Sequence, residues 1–216
     1  TGTITGYPEG EVFFPQSPVM TVEGTFAEAV LLETLVLSIL NYDSAVASAA
    51  SRMTSAPAER PGLALGARRA HEPAAVAAAR AAVVGGFAGT SNLEAGRRYG
   101  LETIGTAAHA FTLLHDDEKS AFASQVASLG PGTTLLVDTY DVRRGVENAV
   151  EAAGGHLGAV RLDSGDLGVL AVEERRQLDA RGAPDPTVTV PCGRVAFGLA
   201  ALAAAGGGDG AVRGGV

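Results

Sequence analysis

The feature that most constrains the fold of this chain is a repeated step, a short continuously apolar strand followed by a helix, most steps being roughly 25 to 30 residues long. The strands fall at Phe87 to Thr90, Leu101 to Gly105, Thr133 to Val137, Gly158 to Leu162 and Thr187 to Val190. Strands without polar alternation are buried on both faces, so the pattern predicts a parallel sheet covered by helices. An open doubly wound sheet and an α/β barrel both satisfy it, and in either one ligands gather at the carboxyl ends of the strands.

The helices between these strands carry local start and stop signals. Pro73 opens an alanine-rich helix closed by Gly85-Gly86, and Ser91 with Glu94 has capping-box spacing before a helix closed by Gly100. His115-Asp116-Asp117 starts a helix with Phe122, Val126 and Leu129 on one face. Asp141 and Asp166 are placed to cap the next two, the first with Val142, Val146, Ala149, Val150 and Ala153 inward, the second running from Leu167 to Arg181. A last helix is expected over Gly198 to Ala205, before the glycine-rich tail Gly206 to Val216.

The amino-terminal part differs. Turn residues Pro8-Glu9-Gly10 and Pro15-Gln16-Ser17-Pro18 flank an expected strand at Glu11 to Phe14, and residues 19–23 make a second. The chain thus opens inside a β-rich module and reads as a fragment. Thr25-Phe26-Ala27-Glu28 is a capping box, followed by a buried stripe of Leu32, Leu35, Val36, Ile39 and Leu40. Asn41-Tyr42-Asp43 is expected to interrupt this helix, with a second over Ser44 to Met53. The stretch Ser55 to Pro61 then divides residues 1–55, part of a β-rich domain with linking helices, from residues 56–216.

Composition narrows the function. A net charge of -8 repels a phosphate backbone, so nucleic acid is not an expected partner. The apolar run Ala29 to Leu40 contains Glu33 and is shorter than the about 20 residues a bilayer requires, so no membrane span is expected. No signal peptide is evident, and the single cysteine, Cys192, forms no internal disulfide, which makes the cytoplasm the expected compartment. The four histidines and one cysteine lack zinc-ligand spacing, and neither Gly-x-Ser-x-Gly nor Gly-x-Gly-x-x-Gly occurs.

Three strand ends carry candidate chemistry. Arg161 and Asp163 are two apart on an extended segment and point to one side, which suits either a ligand site or a structural salt bridge. Asp138 and Tyr140 repeat that spacing one strand earlier. His109 follows Gly105-Thr106-Ala107-Ala108, small residues that leave room for a ligand, although spacing alone suits a core histidine as well. His71 and His115 read as surface residues.

Taken together, Gly66-Ala67-Arg68-Arg69, Gly89 to Gly96, Gly105 to His109, Leu136 to Asp141 and Arg161 to Leu167 resemble nicotinate phosphoribosyltransferase, especially its actinobacterial form, from Tyr7 to about Leu178. The resemblance implies an irregular, here incomplete, α/β barrel of the type II phosphoribosyltransferase kind beside part of a β-rich amino-terminal domain. It implies condensation of nicotinate with phosphoribosyl pyrophosphate to nicotinate mononucleotide and pyrophosphate in NAD salvage, coupled to ATP hydrolysis, with Mg²⁺ and a homodimer. By motif position His109 corresponds to the histidine that ATP phosphorylates, Asp138 and Asp163 to ribose-side or metal-side carboxylates, and Thr106 and Arg161 to nicotinate contacts. Arg68, Ser164 and Gly165 fall at further substrate-binding positions. A paralogue using nicotinamide and a non-catalytic phosphate-binding fragment are the alternatives. After about Ala183 the chain departs from the family: Pro191 to Phe197 stands where an acidic run is expected, and the tail lacks a Gly-x-Gly-Thr turn.

Overall fold

The computed structural model describes residues 2–55, 61–183, 187–192 and 212–214. The structure is α/β. Two amino-terminal strands, β1 (Thr3–Gly6) and β2 (Met20–Glu23), form an antiparallel pair. Helix α1 (Phe26–Ser55) leads to β3 (Gly62–Ala64), a 3-10 turn (Gly66–Arg69), α2 (Glu72–Val84), β4 (Gly89–Thr90) and α3 (Leu93–Tyr99). There follow α4 (His109–Leu113), α5 (Glu118–Leu129), β5 (Thr134–Leu136), α6 (Val142–Ala152), β6 (Ala159–Arg161), α7 (Leu167–Ala180), β7 (Thr187–Cys192) and β8 (Val212–Gly214).

Strands β3 to β8 form one sheet in the order β4-β3-β8-β7-β6-β5, and every pairing in it is parallel. The parallel-sheet expectation therefore holds. The strand expected over Leu101 to Gly105 is reduced to one bridge, Thr103 to Thr90, at the β4 edge. Two strands were not foreseen, β3 and β8; the latter lies within the glycine-rich tail and joins β3 to β7. The expected helix at 198–205, residues 193–197 and the rest of the tail lie outside the described residues.

The main core lies under β5, β6 and β7, where Leu135, Val137, Val160, Leu162 and Val188 pack against Phe122, Val146, Ala149, Ala171 and Leu178 of the covering helices. These side chains are the inward stripes of α5, α6 and α7, and α6 buries the face expected of it. Leu129, expected on the inner face of α5, is exposed. Helix α6 sits unusually close to the sheet because Gly145 has no side chain: a Cβ there would lie 2.2 Å from the Val137 carbonyl oxygen. An alanine in an open helix position is favoured over glycine by about 1 kcal/mol. Here Gly145→Ala is expected to destabilise instead, by about 1 to 3 kcal/mol, as overpacking does. A lower urea midpoint for the variant checks this, and a higher one would show that α6 can retreat.

Local caps are as expected at three helices. At the start of α1 the Thr25 N–H donates to the Glu28 carboxylate and the Glu28 N–H to the Thr25 hydroxyl, Asp141 accepts from the Arg144 N–H at 2.8 Å, and Asp166 accepts from the Gly168 and Val169 N–H groups. At α3 the cap is Asn92 rather than Ser91; it accepts from the Ala95 N–H, while Glu94 pairs with Arg97 and Arg98. The expected strand at Glu11 to Phe14 is absent, and Val12 and Phe14 are exposed there.

Helix α1 is the largest departure. It runs unbroken for 30 residues through Asn41-Tyr42-Asp43, with no glycine or proline inside it. Asn, Tyr and Asp each cost no more than about 0.7 kcal/mol in a helix. Contacts with α2 offset that cost: the Tyr42 hydroxyl donates to the Ala74 carbonyl, and Ala50 and Met53 share a buried cluster with Ala82. Only Val46, Ala50 and Met53 of α1 are buried, whereas Leu31, Leu35, Leu37 and Ile39 are more than half exposed. The buried stripe expected over Leu32 to Leu40 is thus not formed. By length and composition this helix is sufficient to cross a bilayer, whereas an apolar run confined to Ala29 to Leu40 would be too short.

Candidate active site

Strands β5 and β6 end side by side, and the chain beyond each turns acidic at once. Asp138 follows β5 and is 8% exposed. Its Oδ2 accepts from the Asp163 backbone N–H at 2.7 Å and from the Ser164 hydroxyl at 2.7 Å, which locks the two strand ends together. Its Oδ1 is buried and has no hydrogen-bond partner among the described residues.

Arg161 and Asp163 meet as their spacing predicts, with Nη2 donating to Oδ1 at 2.6 Å. Nη1 donates to the Thr106 hydroxyl at 2.6 Å, so the loop before α4 is tied to the end of β6. Arg161 is 14% exposed in its side chain, and its Nε is buried without an acceptor among the described residues. A guanidinium offers five N–H donors, so three of them are uncommitted in these contacts.

His109 opens the short helix α4, with Ala108 preceding it in extended conformation. Its Nδ1 lies 3.2 Å from the Thr139 hydroxyl, and its Nε2 lies 3.8 Å from both Asp138 Oδ1 and Asp163 Oδ2. The imidazole is 39% exposed, so part of the ring is accessible from solvent. Gly165 turns the chain with φ +84° before α7.

His109, Asp138, Asp163, Thr106, Arg161 and Ser164 are therefore joined in one cluster, with Gly165 beside it. Arg68 is not part of these contacts; it is exposed on the 3-10 turn after β3. Tyr140 is exposed, so it does not repeat the Asp163 arrangement. His115 is half-buried, its Nδ1 2.8 Å from the Phe111 carbonyl, rather than on the surface as expected.

Two residues at the site escaped the sequence reading. Thr139, between two aspartates, holds the ring of His109. Glu174 of α7 is 1% exposed, has no partner for either carboxylate oxygen among the described residues, and lies in the field of Asp138. Burial, and then the Asp138 charge, push its pKa up to about 8. Burial likewise raises that of Glu118, which accepts from Asn148.

The cluster combines a buried cation with a free donor, a buried carboxylate with a free acceptor, and an accessible imidazole. No protein-family profile matches the chain. Nicotinate phosphoribosyltransferase pncB1 of Mycobacterium tuberculosis is 60% identical over 209 residues, 93% of this chain and 47% of that protein. The chain is a homologue of the nicotinate phosphoribosyltransferases. It spans about half the length of the curated relatives it matches. The fold agrees: a Pyrococcus furiosus structure described as nicotinate-nucleotide pyrophosphorylase superposes with a TM-score of 0.91 at 29% identity, over 99% of this chain and 56% of that one. Human nicotinic acid phosphoribosyltransferase superposes with a TM-score of 0.86, again at 29% identity, over 99% of this chain and 55% of that one.

Proposed function

We propose that the protein carrying this sequence transfers the phosphoribosyl group of phosphoribosyl pyrophosphate to nicotinate. The bond from ribose C1 to pyrophosphate breaks, a bond from C1 to the pyridine nitrogen forms, and pyrophosphate leaves with the bonding electron pair. The observation that carries this reading is the pairing of Arg161, with a buried unpaired donor, and Asp138, with a buried unpaired acceptor, at adjacent strand ends. An anionic ring substrate and a ribose that develops positive charge need those two groups. The names of the homologues support the same chemistry.

In this reading Arg161 and Thr106 bind the nicotinate carboxylate, with Ser164, Gly165 and Arg68 as further substrate contacts. Asp138 and Asp163 face the ribose as its positive charge grows. Among the described residues no group of three or more side chains is arranged to hold a metal ion. Mg²⁺ needs no such cage; it is commonly held by one or two carboxylates with waters and substrate phosphates, and Asp138 and Asp163 supply such a pair. When bound it would screen the charge of the leaving pyrophosphate. We further propose that the six parallel strands are part of an irregular barrel, and that a homodimer covers the exposed apolar residues of α1.

ATP coupling enters through His109. A ring nitrogen attacks the terminal phosphorus of ATP, the bond to the bridging oxygen breaks and ADP leaves, which places new negative charge beside the site. Incubation of the intact protein with γ-labelled ATP, quenched in base, is expected to label His109. His109→Asn is expected to remove the label and uncouple ATP hydrolysis from product formation, leaving slow ATP-independent transfer. Label persisting in the variant would end this assignment, and faster turnover of nicotinamide than of nicotinate would overturn the substrate.

A further inference from the structure

We infer that Thr139 is a positioning residue for His109, holding Nδ1 so that Nε2 is the nitrogen presented to Asp138 and Asp163. Nothing intrinsic to a histidine side chain selects this, because rotation about χ2 is broad. Turning the ring over would exchange Nδ1 for a carbon against the Thr139 hydroxyl and Nε2 for a carbon between the carboxylates. Three contacts oppose that exchange: 3.2 Å from Nδ1 to Thr139 Oγ1, and 3.8 Å from Nε2 to each carboxylate. Thr139 directly follows Asp138, whose other oxygen is fixed by two 2.7 Å hydrogen bonds. One turn of backbone therefore sets both the group that holds the ring and one of the groups the ring faces.

The proton follows from the same contacts. Two carboxylate oxygens near Nε2, one of them buried and unpaired, favour an N–H at that position. Nδ1 is then bare, and the Thr139 hydroxyl donates to it. A serine retains this capacity, and a valine of nearly the same shape lacks it.

The consequence for catalysis rests on the proposed role of His109, but the orientation of the ring does not. In the intact protein labelled with ¹⁵N-histidine, nuclear magnetic resonance is expected to show His109 with Nε2 protonated and Nδ1 bare and accepting, with its signals identified by their loss in His109→Asn. Thr139→Val is expected to move Nδ1 toward an unbonded imine nitrogen while the remaining spectrum stays folded, and Thr139→Ser to restore it; Thr139→Ala gives the same reading should the valine variant not fold. In the intact protein Thr139→Val is expected to slow phosphoryl labelling about 10- to 100-fold, the range found when a partner that orients a metal-ligating histidine is lost, with little change in KM for ATP and recovery in Thr139→Ser. A protonated Nδ1 in the parent, or an Nδ1 signal unmoved by the valine, overturns the inference even if His109 is labelled. A moved signal with no label on any variant supports the positioning role and overturns phosphoryl transfer instead.

Discussion

Glu174→Leu is expected to stabilise this protein at neutral and alkaline pH and to remove a dependence of its stability on pH. Glu174 is 1% exposed, and neither of its oxygens has a hydrogen-bond partner among the described residues. Its folded pKa of about 8 stands above the ordinary 4.5, first through burial and then through the nearby Asp138 charge. The native state therefore binds more protons than the unfolded chain between those two values. Stability is fully present below about 4.5, falls as pH rises through the window, and levels off above about 8. At about 1.4 kcal/mol per pK unit, the loss is on the order of several kcal/mol. Leucine occupies a similar volume without a charge to desolvate, and replacing buried ionic groups by apolar ones is often stabilising by about 1 to 4 kcal/mol. Urea midpoints of parent and variant between pH 5 and 9, conditions chosen to bracket about pH 8, read the difference directly. Parallel curves would show that Glu174 does not retain a proton in the fold. Glu174→Gln separates charge from shape, since it removes the pH dependence while leaving an amide to satisfy.

Arg161→Ala is expected to damage both stability and ligand binding. The guanidinium is the partner of Asp163 and of Thr106, and its removal leaves a largely buried carboxylate unpaired. Breaking such a pair from one side costs about 3 to 5 kcal/mol when both groups are buried, and the 27% exposure of Asp163 places this case at the lower end. Part of the loss should disappear when Asp163 is also removed, because the double variant has no stranded charge; a thermodynamic cycle measures that coupling. Calorimetric titration of the intact protein with nicotinate is expected to show weakened binding in Arg161→Ala and only partial recovery in Arg161→Lys, whose point charge cannot reproduce the fork. Unchanged affinity in both variants would show that Arg161 does not bind the substrate carboxylate.

What could be read from the sequence alone was local or periodic. The exchange between Thr25 and Glu28, the caps at Asp141 and Asp166, and the inward face of α6 each depend on residues within a few positions of one another. The same-side placement of Arg161 and Asp163 needs only the two-residue period of extended chain, and the 2.6 Å pair is its consequence. Apolar strands ending in acidic residues were enough to expect chemistry at 138 and 163. The small residues before His109 marked it as a candidate, and the resemblance added Thr106, Ser164 and Gly165 by position.

Tertiary structure decided the rest, because contacts between distant segments depend on which surfaces meet. Asn41-Tyr42-Asp43 reads as a break, yet contact with α2 carries the helix through it. Residues 212–214 have little strand character, but parallel partners on both sides make them the link between β3 and β7. Glu174 occupies a core position between Ala171 and Leu178 at helical spacing, and only the packing of α7 onto the sheet reveals that its carboxylate is left without a partner. Thr139 and His109 are separated by 30 positions, so no local rule could pair them. Period and capping chemistry determined where the strand ends and helix starts lie, while the juxtaposition of β5, β6 and the loop before α4 turned separate residues into one site, since charges and hydroxyls act on one another through distance in space rather than along the chain.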